Sequence, residues 1–157
     1  MCIRDRTRRN QTIVFAESCT GGLLSSSLTT ISGSSQVFKG SIVSYSNELK
    51  NSLLNISEEK LTKYGAVSKE VCESMAINAK EKLKADWAIA ISGIAGPNGG
   101  SEDKPVGLVY ISISGPNNHI TNIKKIFNST RNRLEIQTLS VNVCLNSLRF
   151  ILLSDSK

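Results

Sequence analysis

The stretch Val14-Phe15-Ala16-Glu17-Ser18-Cys19-Thr20-Gly21-Gly22 limits the folds open to this chain more than any other. A short apolar run breaks into small polar residues and a glycine pair. The segment after it carries Leu23, Leu24, Leu28 and Ile31 on one weakly apolar helical face. That order predicts strand, tight turn, helix, with strand one over residues 11 to 17 and the helix over residues 21 to 31. It leaves the Ser18 hydroxyl where a strand ends and a helix dipole begins.

The remaining segments extend the same alternation. Phe38 to Tyr45 reads as strand two, Asn47 as the cap of a short helix carrying Leu49, Leu53 and Leu54, and Ser57-Glu58-Glu59 as the start of another turn of helix. Ser68 is a good cap for a helix over 69 to 84, whose Val71, Met75, Ala79 and Leu83 recur at steps of about four. Trp87 to Ile91 is nearly continuous apolar sequence, as in a strand buried on both faces. Val106 to Ile113 and Ile120 to Phe127 flank the turn Gly115-Pro116-Asn117-Asn118 as a hairpin, and a last helix spans about 130 to 153. Helices between early strands and a late hairpin predict an α/β fold, a three-layer α/β/α arrangement around a mixed sheet. Residues 1 to 10 have no periodicity and read as a leader, so the domain is assigned to 11 to 157.

Composition narrows the function classes. The 157 residues carry a net charge of +6, but Arg4, Arg6, Arg8 and Arg9 sit in the leader; without them and Asp5 the balance is an ordinary +3. A nucleic-acid-binding core is therefore not indicated. No stretch approaches the ~20 apolar residues of a membrane span. Cys2, Cys19, Cys72 and Cys144 share no metal-ligand spacing and suit reduced thiols in a cytoplasmic protein. No metal or cofactor is implied. The single histidine, His119, falls in the polar hairpin turn, a poor place for the base of a Ser-His-Asp triad.

Three places remain for chemistry. Ser18 is either a helix cap or a nucleophile in reach of backbone N–H groups. Tyr45 and Lys50 lie at a second strand-to-helix junction, where ligand crevices form in sheets of this kind. Lys50 is either a solvated charge or a general base whose pKa burial has lowered, and Tyr45 either a core ring or a site hydroxyl. The loop from 92 to 104 holds Gly93, Gly96, Gly99 and Gly100, which let backbone approach a ligand, and ends in Lys104, a candidate anion contact.

Together, Ala16-Glu17-Ser18-Cys19-Thr20-Gly21-Gly22, Tyr45-Ser46-Asn47-Glu48-Leu49-Lys50, and Ile91 to Gly100 with Lys104-Pro105-Val106-Gly107 resemble the CinA C-terminal domain family, over roughly residues 12 to 153. Its stand-alone members are nicotinamide-nucleotide amidases. The resemblance implies metal-independent hydrolysis of the carboxamide of nicotinamide mononucleotide, a salvage step toward NAD, by a Ser-Lys mechanism. Ser18 would attack, Lys50 would accept its proton and Tyr45 would orient or relay it. Thr20, Gly21, Gly93, Gly96, Gly99, Gly100, Lys104 and Arg131 would hold the oxyanion or the nucleotide. It also implies a homodimer.

Two departures accompany the resemblance. The family's amphipathic helix before the first strand is replaced by the arginine-rich leader. Arg131 takes the place of the family's first arginine near the last helix, whereas Glu135 stands where a second is expected. They favour an alternative reading, a nucleotide-binding or regulatory domain of the same fold without turnover.

Overall fold

The computed structural model describes residues 10–154; the leader up to residue 9, with Cys2 and its arginines, lies outside the described residues. In chain order it contains β1 (Ile13–Glu17), α1 (Leu23–Thr29), β2 (Phe38–Val43), α2 (Asn47–Leu54), α3 (Glu58–Tyr64), α4 (Lys69–Lys82), β3 (Trp87–Gly93), β4 (Leu108–Ser114), β5 (Ile120–Ile126) and α5 (Arg133–Ser154). The strands form one sheet in the order β2-β1-β3-β4-β5. β1 runs parallel to both β2 and β3, whereas β4 and β5 continue the sheet antiparallel. This is the mixed α/β/α sandwich anticipated above.

Side-chain size sorts the two faces. In β1, Ile13 and Phe15 point to one layer and Val14 and Ala16 to the other. In β3 the split is sharper: Trp87, Ile89 and Ile91 face α1 and α5, while Ala88 and Ala90 face α4. Small strand residues meet Met75, Ala76 and Ala79, so α4 seats close to the sheet. The bulkier layer is closed by Leu24 and Leu28 of α1 and Ile136, Val141, Cys144, Leu148 and Leu152 of α5. Helix α5 is long and apolar enough, by length and composition, to cross a bilayer, which the sequence reading did not register. Its buried stripe packs instead on the sheet as a core helix.

Connections from β1 and β2 leave on opposite faces, α1 toward one layer and α2–α4 toward the other. The crevice at the carboxyl ends of β1, β2 and β3 is therefore a topological switch point. The helix starts explain its sharp edges. Ser46 caps α2 one residue earlier than expected, accepting from the Leu49 amide, while Ser57 and Ser68 cap α3 and α4 in the same way. Helix α1 begins at Leu23 rather than residue 21 because Gly21 and Gly22 are left-handed, with φ of 59° and 105°.

Helix α1 also lacks a capping side chain of its own. Glu17, the last residue of β1 and 0% exposed, reaches over the turn instead. One carboxylate oxygen accepts from Thr20 Oγ1 (2.7 Å) and the Gly22 and Leu24 amides (both 3.0 Å); the other accepts from the Ser25 amide (2.9 Å) and hydroxyl. A buried anion thus saturates the positive end of α1 and fixes the turn that holds Ser18.

Candidate active site

Ser18 directly follows β1, and its own amide donates to the Ile91 carbonyl of β3 at 3.0 Å. That bond prolongs the sheet by one residue and leaves the side chain at the crevice floor. Lys50, in the first turns of α2, is 1% exposed, a position lysine almost never takes without partners. Its Nζ lies 3.0 Å from Ser18 Oγ, 2.7 Å from the Ser44 carbonyl and 3.4 Å from the Tyr45 carbonyl. Burial pushes the lysine pKa below its ordinary 10.5. The nearby thiols Cys19 and Cys72 would oppose that shift if ionised, but burial drives each of them up to about 12. They stay protonated, and Lys50 is free to lose its charge.

In the neutral amine the two carbonyls occupy the N–H donors, and the remaining lone pair is left for the Ser18 hydroxyl. This is the nucleophile-base contact that an activated serine requires, within hydrogen-bond reach of 2.6–3.2 Å.

A cavity of about 260 Å³ opens above this pair, bounded by Ser18, Cys19, Tyr45 and Lys50 on one side and by Ala66, Val67 and the Ser92–Gly96 segment on the other. Of the loop glycines named from sequence, Gly93, Gly96 and Gly99 line it and Gly100 does not; Asn98 joins them. Tyr45 is 58% exposed at the rim, so it is a site hydroxyl and not a core ring. A larger groove of about 360 Å³ between α2 and α3, with Asn47, Glu48, Asn51, Glu58, Leu61 and Thr62, holds no paired nucleophile and base.

The other candidates are placed elsewhere. Thr20 spends its hydroxyl on Glu17, and the Gly21 amide closes the turn onto the Ser18 carbonyl. Lys104 donates to the Tyr64 carbonyl at 2.7 Å, pinning the long loop to the end of α3. Arg131 is exposed and does not line the cavity. Arg133, which the sequence reading passed over, does: Nη1 donates to the Gly96 carbonyl at 2.8 Å and Nη2 to the Tyr45 hydroxyl at 2.6 Å. Guanidinium N–H groups remain for an incoming anion. Glu135 belongs to a reciprocal cap, accepting from the Asn132 amide while Asn132 Oδ1 accepts from the Glu135 amide. That box starts α5 at Arg133, and the Asn132-x-x-Glu135 spacing is the signal by which the arginine's place was readable.

Three comparisons bear on this arrangement. The model of the CinA C-terminal domain matches residues 1–152. A CinA-like protein of Prochlorococcus marinus (strain AS9601) is 91% identical over 99% of the chain, and one of Trichormus variabilis is 51% identical over 92%. The chain spans only 37% and 35% of those two relatives. Among solved structures, the competence/damage inducible protein CihA from Agrobacterium tumefaciens superposes with a TM-score of 0.92 at 39% identity, over 96% of this chain and 90% of that one. A CinA superfamily protein from Escherichia coli gives 0.88 at 29% identity, over 96% and 84%.

Proposed function

Since the chain belongs to the CinA C-terminal domain family, we propose that it is a nicotinamide-nucleotide amidase, converting nicotinamide mononucleotide to nicotinic acid mononucleotide and ammonia. The observation that carries this reading is the buried Lys50 amine 3.0 Å from the Ser18 hydroxyl at the floor of the switch-point cavity. A bare helix cap or a solvated lysine has no use for that contact.

Ser18 Oγ attacks the carboxamide carbon as its proton passes to Lys50 Nζ. The ammonium that results returns the proton to the departing nitrogen, which leaves as ammonia. Water then attacks the Ser18 ester, Lys50 takes a proton from it, and the acid departs as Ser18 regains its hydrogen. Tyr45 and Arg133 act at the rim. Their mutual hydrogen bond holds the tyrosine hydroxyl over the cavity and presents the guanidinium to the phosphate. The volume, just below the ~300–1,000 Å³ usual for small-molecule sites, suits a mononucleotide better than a dinucleotide. The N-terminus of α1 is closed to the phosphate because Glu17 already fills it.

The reading is tested by following ammonia release from nicotinamide mononucleotide and identifying the acid product. Arg133→Met locates the phosphate: kcat/KM for the mononucleotide falls about 10–100-fold, the value of losing a charged hydrogen bond. For nicotinamide riboside, which has no phosphate, the variant and the parent are expected to agree within a few-fold. Equal losses on both substrates would contradict the phosphate role and leave Arg133 a support for Tyr45 alone.

A further inference from the structure

Helix α5 enters the site with more than its arginine. Gln137, one turn beyond Arg133 and on the same helix face, donates from Nε2 to the Cys19 carbonyl at 2.8 Å. Among the described residues this is the only hydrogen bond the Cys19 carbonyl receives. The peptide unit it belongs to is planar and trans, so the Thr20 N–H points opposite to that carbonyl. Three of the other amides of the turn are committed, Ser18 to Ile91, Gly21 to Ser18 and Gly22 to Glu17, whereas that of Cys19, like that of Thr20, donates to no other residue among those described. The Thr20 amide donates to no acceptor among the described residues, although Thr20 is only 4% exposed. A buried N–H without an acceptor is rare in a native fold and needs an occupant.

We infer that Gln137 is a positioning residue: by holding the Cys19 carbonyl it keeps the Cys19–Thr20 peptide turned so that the Thr20 amide donates to the oxyanion formed when Ser18 is attacking. This rests on Ser18 being the nucleophile proposed above. Rotation of that one peptide would replace a donor by a carbonyl oxygen and repel the developing charge. Glu17 and the Gly21–Ser18 hydrogen bond hold the ends of the turn, and Gln137 is what holds the carbonyl of the peptide between them. It does so from a helix 118 residues further along the chain.

The test uses a fluorophosphonate, which depends on serine attack and oxyanion stabilisation but not on the identity of the natural substrate. Ser18 Oγ forms a bond to phosphorus, the P–F bond breaks, fluoride leaves and the serine proton goes to Lys50. Labelling of Ser18 is followed by mass spectrometry in the full chain and in Gln137→Leu, which lacks the donor. Gln137→Glu, suited to this half-buried position, places an acceptor there instead. The maximal labelling rate kinact falls about 10–100-fold in both variants, part of the ~10²–10³-fold lost when an oxyanion donor is removed. KI stays at the parent value, and each variant keeps a cooperative unfolding transition, at a midpoint lowered by the lost hydrogen bond.

A kinact within twofold of the parent in a folded variant overturns the inference, as does a parent chain whose Ser18 is never labelled. Slower labelling in the variants of a parent that releases no ammonia from nicotinamide mononucleotide supports Gln137 and refutes the substrate reading alone.

Discussion

Lys50→Met lowers kcat for ammonia release by about 10²–10⁴-fold, the range for removal of a positioned general base. The methionine keeps the length and apolar body of the side chain, so the fold survives, and KM changes little because the amine sits beneath the substrate. The pH dependence is the sharper readout. In the parent, kcat/KM rises with pH as Lys50 loses its proton, at a pKa that burial holds below 10.5.

Stability follows the same group with a definite sign. Between the lowered folded pKa and 10.5, the unfolded chain binds more protons than the folded one, so the Lys50 contribution grows more favourable as pH rises. The buried thiols Cys19 and Cys72 act oppositely. Their folded pKa of about 12 lies above the ordinary 9.0, so their contribution is lost as pH rises through that interval. Both thiols are present in the parent and in Lys50→Met. The difference between the two proteins in urea midpoint, read below pH 9 where the thiols stay protonated in both states, therefore reports the lysine: the parent gains on the variant as pH rises above the lowered folded pKa. A flat difference would mean that Lys50 titrates alike in both states.

The second large effect is on folding. Glu17→Ala removes the acceptor of three amides and two hydroxyls at one buried point. The orphaned donors cost about 4 kcal/mol together, since water reaches them poorly. Urea denaturation reads this as a lower midpoint with an unchanged m value. Glu17→Gln fails as a substitute because both carboxylate oxygens accept from backbone N–H groups, and an amide NH₂ in either place faces a donor. A Glu17→Gln protein as stable as the parent would show that the carboxylate is not what anchors the turn.

Glu17 also marks where sequence reading stops. Binary pattern carried the fold: the apolar runs Ile13–Ala16 of β1 and Trp87–Ile91 of β3, the serine caps of α3 and α4, and the hairpin were each visible from local residue order. Ser18, Tyr45 and Lys50 were legible because each falls at a strand-to-helix junction, and the topology brings those junctions to one edge. What local pattern did not carry was contact at long separation. Arg133 and Gln137 lie 88 and 118 residues from Tyr45 and Cys19, and although the Asn132-x-x-Glu135 box places Arg133 at the start of the helix, nothing local shows which partner either residue meets. Arg131 was singled out because it takes the place of the family's first arginine in the resemblance, whereas Arg133, the first residue after the cap at Asn132, is the one that meets Gly96 and Tyr45. Glu17 stood inside the key stretch and still showed no role, because its partners exist only once the two glycines fold the chain back over it.

The most direct measurement of the central claim is ammonia release from nicotinamide mononucleotide by the purified chain beside Ser18→Ala. Removing one oxygen leaves the cavity, Lys50 and the rim in place. The parent is expected to turn over and, in the folded variant, the rate to be at least about 10³-fold lower, with no ester of the product acid on the protein. Turnover by Ser18→Ala at the parent rate would contradict that claim, because the reaction would then proceed without the hydroxyl that Lys50 contacts.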